Sequence, residues 1–137
     1  MMQSNRGAAQ YRAVSSHGLV ADASPTRLVQ IMFEHILSNL AVAHGCMERI
    51  KDNRPLNDVV AKGAAMGKAI RLINQLNGTL DMERGGAIAE SLRGLYVYIL
   101  ARLTLANATN DAPIVAEASK LVRDIKIGWD RIVTDER

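Results

Sequence analysis

Three histidines and one cysteine are the side chains of this sequence most able to bind a metal ion or to attack a substrate. His35 and His44 are nine residues apart, which would place them on opposite sides of a helix. Cys46 is close in sequence to His44 and Glu48, but residues two positions apart on a helix do not face one another. No glutamate is followed by histidine three residues later, and no HExxH motif is present. The spacing therefore predicts no metal site and no cysteine nucleophile.

A glycine pair, Gly85-Gly86, is the sequence feature closest to a phosphate-binding loop. It lacks the spacing of Walker or dinucleotide-binding motifs, and no strand pattern precedes it. With no catalytic residues, no metal and no cofactor site to assign, we predict that the chain is not an enzyme.

Composition and charge narrow the class of protein further. A single cysteine rules out an intrachain disulfide, and the N-terminus lacks the apolar stretch of a secretion signal. The longest uninterrupted apolar run, residues 95–101, is too short to span a membrane. The net charge of +3 is scattered rather than clustered, so nucleic-acid binding is not supported. These features predict a cytoplasmic protein without membrane insertion.

The elements around these residues are helical. Apolar residues recur every three or four positions in the ranges 24–51, 56–77, 87–108 and 113–133. Ser24 and Asp111 are suited to cap helices, and Pro25 fits a first helical position. The first stripe comprises Leu28, Met32, Ile36, Leu40, Ala43, Met47 and Ile50, and the second Val59, Gly63, Met66, Ile70, Ile73 and Leu76.

These ranges predict an all-α, antiparallel up-down four-helix bundle at residues 24–137, preceded by a short, mobile N-terminal arm at residues 1–23. Residues 79–86 are expected to form a connector. The fourth stripe comprises Ile114, Ala118, Leu121, Val122, Ile125, Trp129 and Ile132.

The third range is apolar on nearly every side. One arc serves as a core face: Ile88, Leu92, Leu95, Tyr96, Ile99, Leu103 and Ala106. Val97, Tyr98, Leu100 and Leu105 point away from that arc. Such a helix is either the most buried helix of the bundle or a helix that a partner covers. In the second case, the helix would form part of a groove for an amphipathic segment.

Sequence pieces along most of the chain resemble the FliS family of flagellar export chaperones. The most specific are LDMERGG at residues 80–86 and LRGLYVYILARL at residues 92–103, preceded by Ser24-Pro25 and followed by Trp129. Phe33 and His35 depart from the residues usual in the family, leucine and glycine.

The resemblance implies a bundle that binds the disordered C-terminal segment of flagellin, prevents its premature polymerisation and aids its delivery to the gate of the flagellar type III export apparatus. It also implies that the N-terminal arm occupies the groove, a role that would fall to Tyr11. A helical adaptor for an amphipathic helix of another flagellar protein is the alternative function. A homodimer is an open alternative to a monomer.

Apolar contact with flagellin would come from the second and third ranges, because a partner that folds on binding needs extended contact to offset its ordering. The predicted contact residues are Ile73, Leu76, Leu80, Tyr96, Val97, Tyr98, Leu100 and Leu103. For Ile73, Leu76, Tyr96 and Leu103, plain core packing is the competing interpretation.

Overall fold

The computed structural model describes residues 24–53 and 55–135, and within them all regular secondary structure is helical. The helices are α1 (Pro25–Asn53), α2 (Leu56–Gly78), α3 (Met82–Thr109) and α4 (Ala112–Asp135). Each helix packs on the next one in the chain, and α4 packs back on α1. Connections of two or three residues require consecutive helices to run antiparallel. The prediction of an all-α helical bundle is confirmed.

Capping residues set the helix starts. The Ser24 hydroxyl accepts a hydrogen bond from the Arg27 amide at 3.2 Å, and the Asp111 carboxylate accepts one from the Ile114 amide at 3.3 Å. Both caps were expected from the sequence, because short polar side chains satisfy the free N–H groups of a first helical turn.

The core is built from the facing stripes of the helices. All seven members of the predicted α1 stripe are buried. The predicted α2 stripe is wrong at its start, since Val59 and Gly63 are exposed and Ala65 and Ala69 are buried instead. The buried face of α2 therefore comprises Ala65, Met66, Ala69, Ile73 and Leu76.

The third helix begins earlier than the sequence indicated. Residues 82–86, expected in the connector, belong to α3. The Asp81 carboxylate accepts a hydrogen bond from the Arg84 amide at 3.0 Å and thereby caps a first turn ahead of the glycine pair. At Gly86 the backbone leaves helical geometry, with φ 52° and ψ −128°, and α3 is kinked there.

The division into an arm at residues 1–23 and a bundle from residue 24 stays a prediction, because the arm lies outside the described residues. Among the described residues, no helix is both long enough and apolar enough to cross a membrane.

Candidate partner-binding groove

An apolar groove of about 650 Å³ lies between the N-terminal half of α3 and the C-terminal half of α4. The first turns of α1 and the end of α2 complete its walls. Its lining residues are Val29, Phe33, Leu76, Thr79, Leu80, Asp81, Ile88, Leu92, Leu95, Tyr96, Leu121, Asp124, Ile125, Gly128, Trp129 and Ile132.

The α3 wall of the groove continues the core face of that helix. Tyr96, Ile99 and Leu103, in the middle and C-terminal part of the stripe, are buried. Towards the N-terminus the same stripe emerges from the core, so that Ile88 is 75% exposed and Leu95 is 37% exposed. The prediction that the whole arc forms a core face is therefore wrong for Ile88 and Leu95, which are exposed and line the groove, whereas Leu92 packs partly against the core.

Along α4, burial of the apolar stripe decreases towards the C-terminus. Val115 and Val122 are buried, whereas Ile125 and Trp129 are partly buried and Ile132 is exposed. Because α3 and α4 are antiparallel, the uncovered ends of the two stripes lie at the same end of the bundle. Two helices that should bury each other's apolar faces leave an open channel there instead.

A hydrogen bond fixes the aromatic side chain in the groove. The indole N–H of Trp129 donates to the backbone carbonyl of Thr26 at 3.0 Å, which ties the C-terminal half of α4 to the first turn of α1. The indole is an amphipathic group with its polar atom satisfied, so its ring can face the groove without leaving a buried N–H unpaired.

The polar side chains of the lining are few. Thr79, Asp81 and Asp124 are the hydrophilic residues among the sixteen, and none of the lysine, arginine or histidine residues that the structure describes lines the groove. Such a lining offers contact area to an apolar ligand but few hydrogen bonds with which to orient a polar metabolite.

The predicted contact residues fall into three groups. Leu76, Leu80 and Tyr96 line the groove, although Leu76 and Tyr96 are themselves largely buried. Ile73 and Leu103 are buried in the core.

The third group lies on α3 outside the groove lining. Val97 and Tyr98 are 52% and 47% exposed, while Leu100 packs partly against the core. The Tyr98 hydroxyl donates to the Glu117 carboxylate at 2.8 Å, and this hydrogen bond raises the pKa of Tyr98 above its ordinary value. Tyr11, the residue expected to act from the arm, lies outside the described residues.

The contact residues predicted from the sequence do not include Ile88, Leu92 and Leu95 on α3 or Leu121 and Ile125 on α4, all of which line the groove. Leu92, Leu121 and Ile125 also pack partly against the core, as their apolar stripes predict. Periodicity shows which side of a helix is apolar but not how far away its neighbour lies. One sequence signal near the groove is the Asp81 cap followed by the glycine pair. It indicates an extra helical turn of α3 before the kink at Gly86.

The histidine and cysteine side chains of α1 do not form a site. His44 lies 3.9 Å from Glu48, while Cys46 is buried, with the Arg49 guanidinium 3.6 Å from its sulfur. Within residues 24–53 and 55–135, no group of three or more histidine, cysteine or acidic side chains is arranged to hold a metal ion.

Comparisons with known proteins agree with the resemblance. The family model described as flagellar protein FliS matches residues 7–136. The flagellar secretion chaperone FliSB of Pseudomonas aeruginosa is 43% identical over 123 residues, covering 90% of this chain and 92% of the relative. The flagellar secretion chaperone FliS of Salmonella typhimurium is 39% identical over 132 residues, covering 96% of this chain and 93% of the relative. The flagellar secretion chaperone FliS of Vibrio cholerae is 32% identical over 128 residues, covering 93% of this chain and 89% of the relative. The chain belongs to the FliS family of flagellar secretion chaperones.

Proposed function

We propose that this chaperone binds the disordered C-terminal segment of flagellin in the groove between α3 and α4. By covering that segment in the cytoplasm, it would prevent premature polymerisation and aid delivery to the flagellar type III export apparatus. It would act by binding alone, without catalysis. The observation that carries the proposal is an open apolar groove on a member of a secretion-chaperone family.

The dimensions of the groove suit a helical segment. The α4 wall extends from Leu121 to Ile132, which at 1.5 Å per residue is about 16 Å, or roughly three helical turns. A segment with apolar residues at positions i, i+3, i+4 and i+7 presents a stripe of about 10 Å, which fits within this wall. A disordered client loses conformational entropy when it orders there, and burial of its stripe against leucine, isoleucine and tryptophan side chains offsets this cost.

The same contact explains how binding would prevent polymerisation. A segment whose apolar stripe is held in the groove cannot offer that stripe to other flagellin molecules. Because the contact is noncovalent and partly exposed to solvent, the client can be released without an energy source.

The experiment uses the tryptophan in the groove. Trp129 is the only tryptophan of the chain, so a flagellin C-terminal peptide without tryptophan should change the intrinsic fluorescence as it covers the indole. Titration of the full chain gives the dissociation constant, and calorimetry on the same pair provides an independent value.

Two matched variants of α3 locate the contact. Ile88→Glu places a charge inside the groove, whereas Val97→Glu places one on the exposed surface outside its lining. We expect Ile88→Glu to raise the dissociation constant at least about tenfold, because a carboxylate would lose its hydration under the bound peptide. Val97→Glu and Leu100→Glu test the contacts predicted from the sequence. No binding by the parent protein would contradict the proposed function. Loss of binding in Val97→Glu alone would move the contact to the other side of α3.

A further inference from the structure

The groove lining is selective in charge. The chain has 17 lysine and arginine residues against 14 acidic ones, yet the charged residues among the sixteen that line the groove are both aspartates. Within the described part of the chain, this surface therefore carries acidic but no basic side chains.

The two aspartates differ in what their carboxylates already bind. Asp81 caps α3 by accepting from the Arg84 amide, and its second oxygen lies 3.9 Å from the Arg84 guanidinium. Asp124 is exposed on α4 and has neither a hydrogen bond nor an ion pair within the described part of the chain. One carboxylate at the groove is therefore occupied by a structural role, and the other is available.

The other acidic side chains described on α4 already have partners within the chain. Glu117 receives the Tyr98 hydroxyl and lies 3.4 Å from the Arg102 guanidinium, and Asp130 is bound by Gln30 and Lys126. Of the acidic side chains that the structure describes on α4, the one beside the groove is the one left without a partner.

We propose that Asp124 selects the client by its charge, pairing with a lysine or arginine that flanks the apolar stripe of the bound segment. This proposal rests on the proposed function of the groove and adds a rule for its substrate. The preferred client is an amphipathic helix with a basic flank, and a client with an acidic flank binds more weakly. The pair also fixes the direction in which the segment lies, since the basic residue has to meet the α4 side.

Two cations close to Asp124 in sequence limit the size of the effect. Lys120 and Arg123 are exposed, and neither lines the groove nor lies within ion-pair distance of Asp124. They reduce the negative potential at the carboxylate, and the site is at a solvated rim, where ion pairs are weak. A several-fold preference is therefore expected rather than an absolute one.

The test uses three designed helical peptides with the same leucine stripe and without tryptophan. Their flanking positions carry lysine, glutamine or glutamate. The net charge of +3 would by itself favour the glutamate peptide, so the local and the global electrostatics predict opposite orders of affinity. With the full-length parent protein we expect the lysine peptide to bind about twofold to fivefold more tightly than the glutamine peptide. The glutamate peptide should bind most weakly, and the differences should shrink at high salt.

Variants of the chaperone test whether Asp124 causes the charge preference. Asp124→Asn should remove most of the preference for lysine, and Asp124→Lys should reverse it. Glu90→Gln changes the net charge by the same amount as Asp124→Asn at an exposed α3 position outside the groove lining, and should leave the preference unchanged. Equal affinities in the parent, a preference for glutamate, or a lysine preference that survives in Asp124→Asn would each overturn the proposal.

The flagellin peptide, titrated in parallel, separates the two proposals. Flagellin binding by the parent with no charge preference among the designed peptides would refute the role of Asp124 and leave the proposed function intact. A lysine preference that depends on Asp124, with no flagellin binding, would refute the flagellin assignment and support the charge rule for the groove.

Discussion

At the scale of single residues, polar contacts join α1 to α4 beside the groove. Gln30 on α1 donates to the Asp130 carboxylate on α4 at 2.7 Å, and the Lys126 ammonium lies 2.6 Å from the other oxygen of Asp130. Together with the bond from Trp129 to Thr26, these contacts fix the C-terminal half of α4 against the first turns of α1. They hold the α4 wall in place beside an opening that apolar packing does not fill.

The pKa of Asp130 makes this contact sensitive to acid. Partial burial would raise the pKa, but the hydrogen bonds from Lys126 and Gln30 outweigh it and hold the pKa below the ordinary value of 3.8. The unfolded state then binds a proton more readily than the folded state, so the stabilisation is present above about pH 3.8 and is lost as the pH falls through the folded-state pKa.

We therefore predict that Asp130→Asn lowers the free energy of unfolding at pH 7 and that the difference from the parent shrinks below pH 3.8. Urea unfolding at pH 7 and in acid measures both values. Asp124→Asn is the matched control, because it removes an α4 carboxylate that has no hydrogen bond within the described residues. A constant difference at all pH values would show that Asp130 contributes through packing rather than through its charge.

At the scale of elements, α3 departs from a regular helix at the kink at Gly86. Gly86 has φ 52°, a conformation that side-chain-bearing residues rarely adopt. A Cβ added at Gly85 would lie 2.5 Å from the Ala89 side chain, so this position also has no room for a larger residue. The glycine pair thus lets the capped first turn of α3 join the rest of the helix at the edge of the groove, just before Ile88.

Two glycine-to-alanine changes in α3 should have opposite effects on stability. Gly86→Ala forces alanine into a backbone region that suits glycine and should cost about 1–3 kcal/mol. Gly94→Ala adds a methyl group to a regular helical position with open space around it, and should stabilise by about 0.5–1 kcal/mol. Thermal and urea unfolding of both variants check the signs. Equal effects would mean that the kink is not required by the fold.

The elements also show how far the sequence can predict the structure. The start of α1 follows from Ser24 and Pro25, and its buried stripe follows from spacing alone, because α1 packs on both α2 and α4. The start of α3 differs from the prediction because a glycine pair is typical of a loop, whereas the Asp81 cap supports a helical turn before the pair. The groove could not be found from periodicity, since Ile88 and Leu103 share one stripe and differ only in whether a neighbouring helix covers them.

At the scale of the whole molecule, the groove lies at the end of the bundle where α1 begins. Val29 and Phe33, from the first turns of α1, line the groove, and the Thr26 carbonyl accepts the bond from Trp129. Ser24, where the described residues begin, therefore lies at the end of the bundle that carries the opening. A tethered segment at such a position has a high effective concentration at the groove, so even weak apolar contacts could compete with a client.

This arrangement allows the predicted role of Tyr11 to be tested. If the arm occupies the groove and has to leave before flagellin enters, only the fraction of molecules with an open groove can bind. Deletion of residues 1–20 should therefore raise the association rate. The dissociation rate of bound flagellin should change little, because the arm has then already been displaced. Stopped-flow fluorescence of Trp129 measures both rates, and Tyr11→Ala in the full chain serves as the less disruptive variant. An unchanged association rate in both proteins would exclude competition by the arm, and a faster rate on deletion alone would assign the competition to other arm residues.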